Sequence, residues 1–99
     1  MSSYIDAPRY LVERYPDAVA FDVVGRCMEP DFFEGETLIV SPSAKVEPGR
    51  AAAFDYGARM PNLARVERVE QGYIVLRNNQ GRPYYVGPNA IIGVVVGVA

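Results

Sequence analysis

Apolar positions along this chain recur with a period of two, in short runs set off by glycine and proline. Val19, Phe21 and Val23 alternate with Ala20, Asp22 and Val24, which predicts a strand ended by Gly25. Residues 37–40 predict a second strand, closed by Ser41-Pro42-Ser43. Glu47-Pro48-Gly49-Arg50 is a tight-turn sequence, and residues 51–56 follow as a third strand of mostly small residues. Residues 63–69 predict a fourth strand with charges outward and Leu63 and Val69 inward; the pattern breaks at Arg65 and Val66, where a bulge or bend is expected. Residues 73–77, 84–86 and 91–98 complete the set, separated by the turn sequences Gln71-Gly72 and Asn78-Asn79-Gln80-Gly81. The last of these runs lacks alternation, which suits a strand covered on both faces. With turn signals recurring about every eight to twelve residues and no long amphipathic helix, the pattern predicts an all-β fold, a small folded sheet or barrel. The domain is expected over residues 18–99. Residues 1–17 read as a linker or N-terminal extension, in which residues 9–15, between Pro8 and Pro16, fit either a strand or a few helical turns.

Composition narrows the function more than the fold. The chain has 99 residues, 49% hydrophobic and 22% charged, which suits one globular domain. Its formal net charge is −2, and Lys45 is the only lysine, so no basic cluster exists to neutralise phosphates. There is no histidine, which removes every histidine-based triad and the commonest metal ligand. Cys27 is the only cysteine, so no internal disulfide and no zinc set is possible; neither a metal nor a cofactor is expected. The start lacks a basic head and apolar run, and the apolar run of residues 90–99 is about half a membrane span. A reducing, cytoplasmic setting without membrane contact is expected.

The residues around Cys27 carry a resemblance. Val24-Gly25-Arg26-Cys27-Met28-Glu29-Pro30, then Phe32, Gly35-Glu36 and the strand Thr37-Leu38-Ile39-Val40, resemble the nucleophile loop of the LexA-like repressors. These are the peptidase S24 domains of LexA, the lambdoid phage CI repressors and UmuD, where the pattern is Gly-x-Ser-Met-x-Pro followed by Gly-Asp or Gly-Glu. Val46-Glu47-Pro48-Gly49, Leu63-Ala64-Arg65-Val66, the segment from Gly72 to Asn78 and the segment from Ile91 to Gly97 follow in the family's order and spacing. The likeness covers roughly Ala18 to Val98. It implies a β-rich domain that follows a DNA-binding helix-turn-helix and forms a homodimer or higher homo-oligomer, so that two reading heads span a two-fold operator. It also implies a serine–lysine dyad that cuts the chain's own linker when RecA filaments on single-stranded DNA promote it. By the same resemblance, the backbone amides of Arg26 and Cys27 would form the oxyanion hole. Gly25, Met28, Pro30 and Gly35 would shape the loop, and Val94, Val95, Val96 and Val98 would lie at the dimer contact.

Two positions depart from the family pattern. Cys27 stands at the serine, and Ala64, 37 positions later, stands at the lysine. A thiol can be a nucleophile, but it needs a base or a cation nearby. Alanine accepts no proton, and Arg65 is no base at neutral pH, although its charge would favour a thiolate if it turned inward. The small cleavage pair used by the family, Ala-Gly or Cys-Gly, is absent from residues 1–21. Cys27 therefore reads as an inert half-buried residue, as a thiol nucleophile, or as an engineered replacement of the family's serine. Phe32 and Phe33 read as core, Tyr84 and Tyr85 as core or interface anchors. The expected function is the oligomerisation and regulatory domain of a LexA-like or phage-type repressor with its self-cleavage dyad lost. The alternatives are an active or formerly active Ser/Cys autopeptidase and a module that docks a partner, such as an antirepressor.

Overall fold

The structure is a computed structural model and describes residues 13–99. The expectation for residues 9–15 falls largely outside the described residues. Seven strands form one sheet: β1 (Val19–Asp22), β2 (Thr37–Ser41), β3 (Ala51–Phe54), β4 (Asn62–Glu70), β5 (Tyr73–Arg77), β6 (Pro83–Val86) and β7 (Ile91–Val98). Their spatial order is β1-β2-β7-β3-β4-β5-β6, and every pairing is antiparallel. The all-β expectation is met, as a folded sheet.

Alternating side chains feed different clusters on the two faces. Ala52, Phe54, Ala64, Val66, Ile74, Leu76, Tyr84 and Val86 pack into one. Val23, Leu38, Val40 and Ala53 form another, with Phe21, Phe32, Leu63 and Val95 against it. Ala18 and Ile39 form a third with Tyr15, Ala20 and Val96. Register shifts between Ile39 and Val40, between Ala53 and Phe54, and between Val66 and Arg68 interrupt the ladders. Such irregularities bend a strand and raise its twist, which lets one sheet enclose core on both sides. The break in β4 thus falls at Glu67, just after the Arg65–Val66 step where the pattern falters.

Beyond that break β4 leaves the core. Its inward positions are Ala64 and Val66; Val69, expected inward, is exposed, and Leu63 is half-buried on the opposite face. Leu63 precedes the register shift and alternates with Ala64 onto the cluster of Leu38 and Val40; past the shift Val69 pairs with Ile74 and returns to the Val66 face, but at the end of the strand, where it stays exposed.

β7 lies between β2 and β3, as its uninterrupted apolar run suggests. Gly93 is required there by close approach. A Cβ at this position would lie 2.6 Å from Val40 Cγ1 and 2.9 Å from the Ser41 carbonyl carbon and oxygen. Ser41 is itself fully buried, and its hydroxyl is satisfied by the Asp17 carboxylate at 3.1 Å, the Ser43 hydroxyl at 3.3 Å and the Ala44 amide at 3.2 Å. The Ser43 and Ser41 hydroxyls, in that order, draw the Asp17 carboxyl below its ordinary pKa against a partial desolvation. Tyr15 and Asp17, in the segment read as linker, are thereby tied to the sheet.

Candidate functional site

The loop between β1 and β2 is pinched at its base. Val23 N–H donates to the Glu36 carbonyl at 2.8 Å, and Gly35 N–H donates to the Val23 carbonyl at 3.0 Å. Gly25 and Gly35 have φ values of 86° and 93°, in the left-handed region that glycine enters without a Cβ penalty. Within the loop, the Asp31 and Phe32 amides both donate to the Met28 carbonyl, at 2.8 and 2.9 Å. The Met28 side chain is 1% exposed and anchors the loop on the sheet. The Glu29–Pro30 peptide is cis. Phe32 packs against the core as expected, whereas Phe33 is exposed.

This loop forms one wall of a cleft of about 380 Å³. Gly25, Cys27 and Met28 line it from the loop, and Leu38, Val40, Ala53 and Leu63 form its floor from β2, β3 and β4. Ala58, Arg59, Met60 and Pro61 close it from the β3–β4 connection, with Asn62 at the start of β4. The walls are mainly apolar, and the charged residues lining it are Asp22 and Arg59. Asp22 Oδ1 accepts from the Thr37 hydroxyl at 2.9 Å.

Cys27 is half-buried and its thiol is free. Among the described residues, the amides of Arg26 and Cys27 donate to no backbone acceptor. Ala64 is not among the cleft-lining residues; it is fully buried, opposite Ala52, in the cluster that holds Phe54 and Tyr84. Its neighbour Leu63 reaches the cleft instead, as alternation along a strand requires. Cys27 thus shares its cleft with Leu63 and not with the Ala64 side chain. Lys45 is also absent from the lining. Arg65 is held elsewhere: Nη2 donates to Asp31 Oδ2 at 2.8 Å and Nη1 to the Gly49 carbonyl at 2.7 Å.

The four valines expected at a dimer contact divide by burial. Val94 is fully enclosed within the protomer and offers no surface to a second copy; Val95 and Val96 are partly buried, and Val98 is 44% exposed. Of the tyrosine pair, Tyr84 is buried and Tyr85 exposed. Tyr84 packs edge-on against Phe54 and Tyr56, with ring centroids 5.0 and 4.9 Å apart, and the Arg82 guanidinium lies 4.9 Å from its centroid.

The pattern of residues 25–35 did not single out Asp22, Arg59, Met60 or Asn79. Arg59 and Met60 belong to the β3–β4 connection, whose approach to the loop depends on tertiary folding, whereas Asp22 ends the strand from which the loop departs. Asn79 reads locally as an ordinary turn residue.

Over residues 1–96 the chain matches the family described as Peptidase S24-like, and it belongs to that family. No curated protein and no solved structure matches it. Among the described residues no helix is long and apolar enough to cross a membrane.

Proposed function

We propose that this chain is the oligomerisation and regulatory domain of a LexA-like or phage-type transcriptional repressor in which self-cleavage is lost. One observation carries the proposal: the cleft that presents Cys27 is lined by neither lysine nor histidine. Among the described residues, the titratable partners of Cys27 in its lining are Asp22 and Arg59. A carboxylate is a far weaker base than the neutral amine or imidazole that such a nucleophile needs, and a guanidinium has no lone pair to accept a proton. Loss of a general base typically costs about a hundredfold to ten-thousandfold in rate. DNA contact is assigned to a helix-turn-helix elsewhere in the repressor, since this domain carries no basic cluster, and a free thiol suits the cytoplasm.

Incubation of the full-length repressor from pH 7 to 10, with and without RecA filaments on single-stranded DNA, tests the chemistry by intact mass. The chain is expected to stay uncut. A specific scission lost in Cys27→Ala overturns the proposal. Sedimentation over micromolar concentrations tests association. Self-association weakened by Val98→Asp is expected; a strict monomer throughout sinks the oligomerisation role.

A second reading is favoured by the cleft itself. Val24 and Met60 line it and are 58% and 50% exposed, so an apolar surface remains open to a protein partner such as an antirepressor. Capture of a candidate antirepressor by the wild type but not by Met60→Arg, at the exposed rim of the cleft, supports docking there; equal capture by both removes it.

A further inference from the structure

Three consecutive carbonyls of the cleft-forming loop turn toward one residue of the β5–β6 turn. Asn79 N–H donates to the Cys27 carbonyl at 2.9 Å. Its Nδ2 lies 3.0 Å from the Met28 carbonyl, 3.2 Å from that of Glu29 and 2.9 Å from Asp31 Oδ2. Two side-chain hydrogens serve these three acceptors, and the one shared with the carboxylate is charge-assisted. Asn79 is itself carried on a turn closed by its own hydrogen bonds. The neighbouring Asn78 is 6% exposed, its Oδ1 accepts the Gln80 and Arg82 amides at 2.9 Å each, and its own amide donates to the Arg82 carbonyl at 3.0 Å. Asn78 and Gly81 satisfy that turn, which leaves the Asn79 side chain free to face outward to the loop.

We infer that Asn79 is a positioning residue: its amide group fixes the Cys27–Asp31 loop against the sheet and so sets the wall of the cleft. Cys27 and Met28, which line the cleft, are both gripped through their carbonyls. Arg65 completes the grip from β4 through the same Asp31 oxygen. Any occupant of the cleft meets a surface fixed by a turn that does not line it. The inference is independent of the repressor proposal and holds for whatever the cleft binds.

Met28 and Met60 provide the test, because hydrogen peroxide oxidises methionine according to exposure. Met28 is 1% exposed and Met60 is 50% exposed, so in the wild type Met60 is oxidised and Met28 is protected. Peptide-resolved mass spectrometry reads the ratio of the two rates. Asn79→Ala is expected to raise Met28 oxidation relative to Met60 by about tenfold, the size set by losing one or two net hydrogen bonds. Asn79→Asp keeps the shape but lacks the two donors, and it is expected to expose Met28 at least as much. Ile74→Val, which trims β5 in the core, is expected to leave the ratio near wild type. Protection of Met28 in both Asn79 variants overturns the inference, as does equal exposure in Ile74→Val. Neither cleavage nor oligomer mass enters the readout.

Discussion

Arg65 and Asp31, 34 positions apart in sequence, meet at 2.8 Å across the gap between β4 and the Cys27 loop. Asp31 is held below its ordinary pKa, first by the hydrogen bond from Asn79 and then by that from Arg65, with some desolvation opposing. A carboxyl depressed in the folded state stabilises it above the unfolded pKa and loses that effect as pH falls through the folded value. The stability difference between wild type and Asp31→Asn is therefore expected to be present at pH 6. It is expected to shrink below about pH 4, near the unfolded carboxylate pKa. Urea midpoints at pH 3, 4 and 6 check this, and a difference that grows on acidification contradicts it.

Gly93 faces the Ser41 backbone with no room for a methyl group. Gly93→Ala is expected to cost about 1–3 kcal/mol through forced backbone movement between β2 and β7. Denaturant unfolding measures the loss; stability equal to wild type shows that the strands separate without penalty.

Ala64 has no exposed surface and packs among Ala52, Phe54 and Val66. Ala64→Lys places an amine in an apolar site, where desolvation lowers its pKa. The variant is expected to be destabilised at neutral pH, with the defect shrinking as pH rises toward the unfolded lysine value of about 10.4. Stability measured at pH 7 and 9.5, relative to wild type at each pH, reads the sign. A defect independent of pH places the amine in water.

Phe54 is fully buried and carries the edge-on contacts to Tyr84 and Tyr56. Phe54→Ala is expected to cost about 3–5 kcal/mol, the range for an aromatic removed from a packed core. Because Asn78 is hydrogen-bonded to the Tyr84 hydroxyl at 3.5 Å, the β5–β6 turn is expected to loosen with it. Amide exchange at Gln80 and Arg82 follows that loosening; unchanged exchange separates the turn from the core.

Much of the fold could be read from the chain. The seven expected strands lie close to those observed because valine- and isoleucine-rich runs and Pro/Gly turns act locally. The break in β4 is legible at Arg65 and Val66, but the face that each half of the strand presents is not, because it depends on how β3 and β5 pair with it. The loop holding Cys27 stood out through its motif. Its neighbours did not, because Leu63, Arg59 and Asn79 reach it only through the folded sheet. The Asn78–Gly81 turn shows the limit well: Asn78 serves the turn, while the identical residue beside it serves a loop some fifty positions earlier.

β7 joins two blocks that have no strand pairing of their own: β1 with β2, and the meander from β3 to β6. The meander pairs neighbours in sequence, whereas the β2–β7 pairing joins residues 53 to 60 positions apart. Order during refolding is accordingly expected to run from meander to closure, with amides of β4 and β5 protected before those of β2 in pulse-labelling. Until that seam shuts, the β2 half of the cleft floor is not joined to the β3–β4 half, so the cleft is expected to be the last part of the molecule to mature.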